Sequence, residues 1–217
     1  MSTDATRRAF LHTTGMSLAS IALGCTSSTG KDGVDDTAEG ETGRADTHDT
    51  ADTASELCVE TPDNIEGPFY REGAPARDDL DLFGDIGTSL SLSGIVTSAD
   101  CEPLPAAVIE IWQADPEAAY DNDSEEMRYR GHVLTDADGR YSFHTLVPGR
   151  YLNGAEYRPA HIHVKVWVGG VERLTTQIYF EGDPYLESDS FVDEGLIIPL
   201  MEDGAGGLVG EFPIALA

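Results

Sequence analysis

The sequence predicts an all-β protein: a β-sandwich of mostly antiparallel short strands, forming a single domain after a disordered N-terminal signal and linker. Three observations lead to this fold class. Short β-branched or alternating runs begin after Cys58, turn residues separate them, and no long segment repeats its apolar residues every 3.6 positions. This pattern is typical of a sandwich or barrel.

The 217-residue chain is strongly acidic, with 40 Asp and Glu residues against 13 Lys and Arg residues and a net charge of −27. This balance argues against nucleic acid as a partner, because phosphate backbones are bound through basic patches. No apolar run approaches the ~20 residues that a membrane-spanning helix needs. Hydrophobic residues make up 40% of the chain, which is enough for one globular core.

Residues 1–25 are predicted to be an export signal of the twin-arginine type. Arg7 and Arg8 precede a short apolar stretch at 16–24, as in the hydrophobic region of a signal peptide. We therefore expect a periplasmic or cell-surface protein. The sequence ending at Cys25 resembles a lipoprotein cleavage box, and lipidation there would tether the protein to a membrane. The alternative is an amphipathic helix of a cytoplasmic protein.

Residues 26–56 are predicted to form a disordered acidic linker, and residues 57–217 one folded domain. The linker is rich in Thr, Ser, Asp and Gly, and its single aliphatic residue larger than Ala is Val34. Such a segment buries too little apolar surface to offset its chain entropy. In an exported domain Cys58 and Cys101 predict a disulfide, with two free thiols in packing roles as the alternative.

The strands are predicted from the period-two or β-branched runs in the domain. The acidic stretch 116–129 is predicted to be a loop or short helix. A glycine-containing turn at 136–140 indicates a hairpin between its flanking runs. The predicted strands are 90–96, 107–112, 132–135, 141–143, 161–168 and 174–180.

His161 and His163 carry the densest chemical signal. Residues two apart in a strand share a face, and the apolar residues at 162, 164, 166 and 168 define the core side. Both imidazoles therefore point to the other side, close enough to bind one metal ion. The His-x-His pattern alone is weak evidence for a metal site, because such a pair also occurs in purely structural roles.

The next strand places Gln177 near these histidines. A two-residue turn at Gly169 and Gly170 would put Gln177 on the side away from them, whereas a three-residue loop that pairs Val168 with Glu172 puts it opposite His163. Burial of both apolar faces favours the second register.

Two tyrosines indicate which kind of metal ion the histidines would bind. Carboxylates such as Asp115 and Asp121 do not indicate a metal site by themselves, because the chain has so many acids. Thiolate ligands are not expected, because Cys58 and Cys101 are predicted to be paired and Cys25 lies in the signal. Tyr120 follows the end of a predicted strand, and Tyr151 follows a turn ten residues before His161. A lone tyrosine at a strand end is usually just half-buried. Two phenolates with His-x-His favour a hard, oxidised ion, Fe(III).

The domain resembles the intradiol ring-cleaving catechol dioxygenases. The motifs that carry the resemblance are GPFY at 67–70, IWQA at 111–114 with Tyr120 beyond it, RGH at 130–132, TDADGRY at 135–141, PGRY at 148–151 and RPAHIH at 158–163. The resemblance implies a β-sandwich with non-haem Fe(III). It also implies use of O2 to cleave a small aromatic diol between its hydroxyls, giving a muconate-type diacid.

The resemblance implies a role for each matching residue. Tyr120 and His161 correspond to the equatorial ligands, and Tyr151 and His163 to the axial pair, of which Tyr151 leaves the metal and takes up a substrate proton. Three further residues correspond to groups that surround the substrate. These are Arg158, which would stabilise developing negative charge, the pocket glutamine Gln177, and the tyrosine Tyr70 near the pocket mouth.

Two departures from the family leave substrate choice and oligomeric state open. The segment 152–157 is shorter than in well-known members, and their N-terminal helical dimerisation segment has no counterpart. A homodimer therefore stays one option. The acidic surface disfavours anionic substrates.

Two other functions remain as alternatives. An exported binding module without catalysis would leave Tyr120, Tyr151, His161 and His163 scattered in space. A zinc hydrolase would combine the two histidines with a carboxylate such as Asp115 or Asp121.

Overall fold

The computed structural model describes residues 58–217, and nearly all of its regular structure is β-strand. The predicted signal with Cys25 and the predicted linker lie outside the described residues. Within residues 58–217 one 3-10 turn is present, at Glu194–Leu196. The strands are β1 Ser89–Thr97, β2 Val108–Gln113, β3 Arg130–Leu134, β4 Arg140–Leu146, β5 Leu152–Asn153, β6 Glu156–Tyr157, β7 His161–Val168, β8 Val171–Phe180, β9 Ile197–Ile198, β10 Met201–Glu202, β11 Leu208–Glu211 and β12 Ile214–Ala215.

The strands form two five-stranded sheets and one small ribbon. In the first sheet the order is β10-β11-β1-β12, with β4 also paired to β1, and in the second it is β3-β2-β7-β8-β9. The ribbon is β5-β6. Most pairs are antiparallel, and β1/β11, β1/β12 and β8/β9 are parallel. The predicted all-β sandwich is confirmed. Within residues 58–217 no helix is long and apolar enough to cross a membrane.

The core lies between the inward faces of the two sheets. Its side chains follow the period of two, because alternate residues of each strand point inward. In β7 the inward residues are Ile162, Val164 and Val166, each at most 1% exposed. Leu90 and Leu92 of β1 belong to the same buried cluster. Burial on this scale is the main favourable term of folding.

Four short strands near the C-terminus were not predicted. β9 to β12 are two to four residues long, too short to show a hydrophobic period. They matter because β11 and β12 both pair with β1. Gly94 lies between these two pairings, and a Cβ there would come within 2.1 Å of the Phe212 carbonyl oxygen. Only glycine lets the chain cross β1 so closely.

The predicted hairpin between the runs 132–135 and 141–143 is wrong. β3 pairs with β2 and β4 pairs with β1, so the turn at 136–140 carries the chain from one sheet to the other. The carboxylate of Asp136 accepts the backbone N–H groups of Asp138 and Arg140, at 2.9 and 2.8 Å. The Gly139 carbonyl then accepts from the Val96 N–H at 2.8 Å, which docks the turn on β1.

The β7-β8 hairpin pairs His163 with Gln177 as predicted, but Val168 does not pair with Glu172 and the turn is different. Val168 pairs with Val171 across the two-residue turn Gly169-Gly170, whose φ values of 59° and 81° suit glycine. The register shifts between Val166 and Trp167, and beyond the shift His163 faces Gln177. The predicted three-residue loop is therefore wrong, because a bulge at position 173 supplies the extra residue.

The segment 58–77 is here called the strap, and its residues 64–77 cover the outer face of the second sheet. Backbone hydrogen bonds hold it at both ends: Asn64 N–H donates to the Thr175 carbonyl at 2.8 Å, and His132 N–H donates to the Pro75 carbonyl at 3.0 Å. At its start a disulfide joins Cys58 to Cys101, 43 residues apart. The strap therefore buries a sheet face that would otherwise be open to water.

That covered face is polar. Glu110 of β2 stands opposite Lys165 of β7, and both are less than 10% exposed. Burial raises the pKa of Glu110 to about 7, and the positive charges of Lys165 and Arg130 offset this only in part. Burial and the neighbouring Glu110 raise the pKa of Tyr70 to about 12.

Removal of the disulfide is expected to destabilise the domain. Closing a loop of this length contributes about 4 kcal/mol in the chain-entropy model. Cys58→Ser should therefore lower the free energy of unfolding in urea by several kcal/mol, and the reduced wild-type protein should behave like the variant. Equal stability of oxidised and reduced wild-type protein would contradict the expectation.

Glu110→Gln is expected to change the pH dependence of stability. The folded-state pKa of Glu110 is raised above its ordinary value of 4.5, so its contribution to stability is complete below pH 4.5 and is lost as pH rises through about 7. The variant should therefore gain stability relative to wild type between pH 5 and pH 8, measured by urea unfolding. Glu202→Gln at the exposed β10 is the control, and a gain independent of pH would refute the assignment.

Candidate metal centre

Four aromatic side chains with donor atoms converge on the outer face of the second sheet. The rings of His161 and His163 are 4.9 Å apart, and Tyr151 lies 5.6 Å from His161. Tyr120 lies 5.6 Å from Tyr151 and 6.1 Å from His163. The Tyr120 hydroxyl is 3.3 Å from Nε2 of His161. The four residues named as ligands from the sequence thus form one cluster, drawn from three separate segments.

The two histidines are buried and held as neutral imidazoles. Nδ1 of His161 donates to the Pro159 carbonyl at 2.7 Å, which leaves its Nε2 lone pair on the side of Tyr120. Burial, together with the positive charge of Arg158, lowers the pKa of His161 to about 4. Burial and the neighbouring His161 hold the pKa of His163 well below its usual value. Neutral imidazole is the form that binds metal ions.

Trp112 and Gly67 pack against His163. The Trp112 ring lies parallel to the imidazole, with centroids 4.7 Å apart and planes 6° from parallel. Gly67 has a φ of +73°, and a Cβ at this position would lie 3.2 Å from Cε1 of the imidazole. A glycine at 67 therefore lets the strap contact the histidine directly, and the indole fixes the plane of the ring.

Tyr120 is positioned by the loop between β2 and β3, which contains no helix. The next residue, Asp121, organises this loop. Its carbonyl accepts from Nη2 of Arg130 at 2.8 Å, and its carboxylate accepts the backbone N–H groups of Ser124 and Arg128 at 2.9 and 2.7 Å. Burial alone raises the pKa of Asp121, but hydrogen bonds to the carboxylate lower it well below its usual range.

The turn that carries Tyr151 lies directly on the Tyr120 loop. Gly149 N–H donates to the Asp115 carbonyl at 2.9 Å, and a Cβ on Gly149 would come within 2.4 Å of the Ala118 nitrogen. The carboxylate of Asp115 accepts two backbone N–H groups of its own loop. A glycine at 149 thus brings the two tyrosines together.

Asp183 connects the Tyr151 turn to β7. Its Oδ2 accepts from Nε of Arg150 at 2.6 Å and from the backbone N–H of Ala160 at 3.1 Å. The two donors immediately precede Tyr151 and His161 in the chain. One buried carboxylate oxygen therefore fixes the spacing of the segments that supply these two candidate ligands.

Phe69 of the GPFY motif contacts both tyrosines, a contact that the sequence does not predict. Its ring stacks on Tyr120 at 4.3 Å and meets Tyr151 edge-on at 5.8 Å. Tyr70 instead packs on Trp112 at 4.9 Å. The structure therefore does not bring Tyr70 into the cluster. The aromatic ring that packs beside the two tyrosines is that of Phe69, which precedes Tyr70 in the GPFY motif.

Arg158 and Gln177 lie beside the four donors and hydrogen bond to each other. Nη2 of Arg158 donates to Gln177 Oε1 and to the Tyr179 hydroxyl, both at 3.1 Å, and Nη1 lies 3.4 Å from the Tyr151 hydroxyl. Nε donates to Asp189 at 2.6 Å. Burial alone lowers the pKa of Arg158, but the hydrogen bond to Asp189 raises it on balance above its usual value. The guanidinium is therefore charged.

Gln177 is fixed at both ends of its amide. Its Oε1 also accepts the Tyr179 hydroxyl at 2.9 Å, and its Nε2 donates to the Ile65 carbonyl of the strap at 2.8 Å. Tyr179 and Asp189 were missed from the sequence. In the sequence, Tyr179 has the features of an ordinary strand residue. Asp189 has no feature that separates it from the many other acidic residues of the chain.

The donor set fits a hard metal ion. Adjacent ligands with bonds of about 2 Å to one ion lie about 3 Å apart, as the Tyr120 hydroxyl and His161 Nε2 do. Burial raises the pKa of Tyr120 well above 10, so an ion bound there must displace the phenol proton. Among residues 58–217 no group of three His, Cys, Asp or Glu side chains could hold a metal. Asp115 and Asp121 bind loop backbone instead.

Comparison with known proteins identifies related chains. A family model described as "Dioxygenase" matches residues 65–210. Catechol 1,2-dioxygenase 2 of Acinetobacter lwoffii is 38% identical over 160 residues, which cover 64% of this chain and 58% of that protein. The chain thus spans about three fifths of the length of this relative.

Solved structures show the same fold. The dioxygenase domain of a dioxygenase and carbohydrate-binding fusion protein from Streptomyces sp. SirexAA-E superposes with a TM-score of 0.67 at 37% identity, covering 73% of this chain and 98% of that one. Catechol 1,2-dioxygenase from Pseudomonas arvilla C-1 gives a TM-score of 0.66 at 32% identity, covering 74% and 63%. With the family model matching well over half of its residues, the chain belongs to the intradiol ring-cleavage dioxygenase family.

Proposed function

We propose that this protein is a non-haem Fe(III) dioxygenase. It would add both atoms of O2 to a catechol-type ring and cleave the ring between its two hydroxyls, giving a muconate-type diacid. The observation that carries the proposal is the convergence of Tyr120, Tyr151, His161 and His163 in one cluster. Relatives named catechol and chlorocatechol 1,2-dioxygenases support the same reaction class.

These four residues would hold the metal. Two phenolate oxygens and two neutral imidazole nitrogens are a donor set that suits the ferric state. When bound, the ferric ion would bind both oxygens of the catechol and activate its ring toward O2. The chain supplies positioning: the imidazole planes are fixed by hydrogen bonding and stacking before any ligand binds.

Of the four residues, Tyr151 would be the one that a catechol displaces. It lies in a turn followed by the exposed ribbon β5-β6. Tyr120 is held under Phe69 and by the Asp121 network, so it stays in place. A released phenolate can take up the proton of a catechol hydroxyl.

Arg158 would stabilise negative charge that develops on the substrate through Nη1 and Nη2, which face Tyr151 and Gln177, while its Nε is paired with Asp189. Its guanidinium is buried, charged and fixed by four hydrogen-bond partners before substrate arrives. A preorganised cation in a site shielded from water stabilises charge far better than a solvated one. Phe69 and Trp112 would help to exclude water from the same region.

We also propose that the protein is exported and acts in the periplasm or at the cell surface. The twin-arginine pattern at 6–12 supports export, and Cys25 would provide a lipid anchor. The disulfide that links the strap to Cys101 suits an oxidising compartment. Fractionation of producing cells tests this, since recovery only from the cytoplasm would refute it.

The visible spectrum of the iron-loaded full chain tests the metal centre. A red-brown band from tyrosinate bound to Fe(III) is expected, and it should shift when catechol is added without O2. Tyr120→Phe should lose most of this band or the iron itself. Tyr179→Phe is the matched control, because it removes a hydroxyl beside the site that is not assigned as a ligand.

The control variant should keep the band of the unliganded protein. A wild-type chain that stays colourless after loading would contradict the proposal and favour an exported binding module without catalysis. Equal bands in the Tyr120→Phe and wild-type proteins would remove Tyr120 from the ligand set.

Arg158→Ala is expected to separate iron binding from turnover. The variant should retain iron and its colour, because Arg158 supplies no metal ligand, yet its kcat should fall by about 10²–10³-fold, as for the loss of one charge-stabilising donor. Arg140→Ala removes an exposed arginine and is the control. Oxygen uptake measures both, and unchanged turnover in Arg158→Ala would exclude the assigned role.

A further inference from the structure

Arg158 shares its charge with one carboxylate. The guanidinium Nε lies 2.6 Å from Oδ2 of Asp189, and both side chains are only 5% exposed. By contrast, Arg150 in its ion pair with Asp183 is 49% exposed. An ion pair shielded from water on both sides keeps much more of its electrostatic strength than one at the surface.

Asp189 is held in place by its surroundings. Its Oδ1 accepts the backbone N–H of Phe191 at 2.9 Å. The carbonyl of Phe191 in turn accepts from Asn64 Nδ2 of the strap at 2.7 Å, and the Phe191 ring lies 5.0 Å from the guanidinium of Arg158. The carboxylate therefore belongs to a fixed segment beside the candidate metal centre.

Other cations near the centre are already engaged. Lys165 forms ion pairs with Glu66 and Glu172, at 2.9 and 3.0 Å. Arg130 donates to the backbone carbonyl of Asp121. In the part of the chain that the structure describes, Arg158 is the basic side chain that reaches the candidate ligands.

A cavity of about 100 Å³ opens beside this ion pair. It is lined by Arg158 and by two acids, Asp189 and Glu156, together with the aromatic rings of Tyr157 and Phe191. A carboxylate placed here would face two like charges, and the Nε edge of the one cation within reach already donates to Asp189.

We propose, resting on the catechol dioxygenase function above, that Asp189 determines substrate charge: by neutralising Arg158 it makes the site select catechols without an anionic substituent. Asp189 acts through Arg158 and is thus a positioning residue. It fixes the guanidinium edge that faces Tyr151 and Gln177, and it removes the net positive charge that would attract a carboxylate.

The experiment measures binding, not turnover. The iron-loaded full chain is titrated without O2 with catechol, which is neutral, and with 3,4-dihydroxybenzoate, which carries a carboxylate. The shift of the visible band gives a Kd for each ligand. The quantity of interest is the ratio of the Kd for 3,4-dihydroxybenzoate to the Kd for catechol.

Three variants change the charge of the pair, and a fourth serves as the control. Asp189→Asn leaves Arg158 unneutralised and should lower the ratio about tenfold, whereas Arg158→Gln leaves Asp189 unpaired and should raise it. The double variant restores neutrality and should return the ratio close to that of wild type. Asp203→Asn is the control, because it removes the same charge from an exposed loop where the carboxylate binds only local backbone N–H groups.

The outcomes are distinct. A ratio within twofold of wild type in Asp189→Asn, with catechol still bound, overturns the inference while leaving the proposed function intact. An equal shift in Asp203→Asn also overturns it, because net protein charge would then be the cause. If Asp189→Asn does not fold, Arg158→Gln and the double variant decide by the same ratio. Failure of wild type to bind either ligand overturns the proposed function and this inference together.

Discussion

The alternation of side chains along β7 is the constraint on which the rest of the structure depends. Ile162, Val164 and Val166 enter the sandwich core, so His161 and His163 must emerge on the opposite face. That face is also buried, and buried polar groups need partners. A strand that carries apolar groups on one side and imidazoles on the other therefore requires a cover able to satisfy polar atoms. The strap and the two tyrosine-bearing loops are that cover.

The strap supplies backbone and aromatic groups where side-chain charge would be costly. The Ile65 carbonyl receives the amide of Gln177, Gly67 contacts His163, and Phe69 closes the space beside Tyr120. Each contact depends on the strap's position along the sheet. The disulfide at Cys58 holds the start of this segment, so this covalent link also bears on the contacts that the strap makes with the site.

Much of this arrangement could be predicted from the sequence, because burial decides strand faces. The facing of His163 and Gln177 follows from it, even though the turn was wrong: a bulge preserved the register that the apolar faces demand. Other features leave no periodic trace. At 136–140 the chain passes from one sheet to the other, and this depends on the packing of the turn against β1. Asp189 is distinguished from other acids only by its tertiary contact with Arg158.

The charges of the site explain how so polar a cluster is buried in a stable domain. His161 and His163 are neutral because burial depresses their pKa values, and Tyr120 is neutral because burial raises its pKa. The full positive charge of Arg158 is matched by Asp189. The fold thus assembles the donors without a net buried charge, which is what desolvation disfavours most. Tyr120 then becomes negatively charged only when a metal cation binds and compensates that charge. The chain can therefore preorganise the donors at little cost to its own stability.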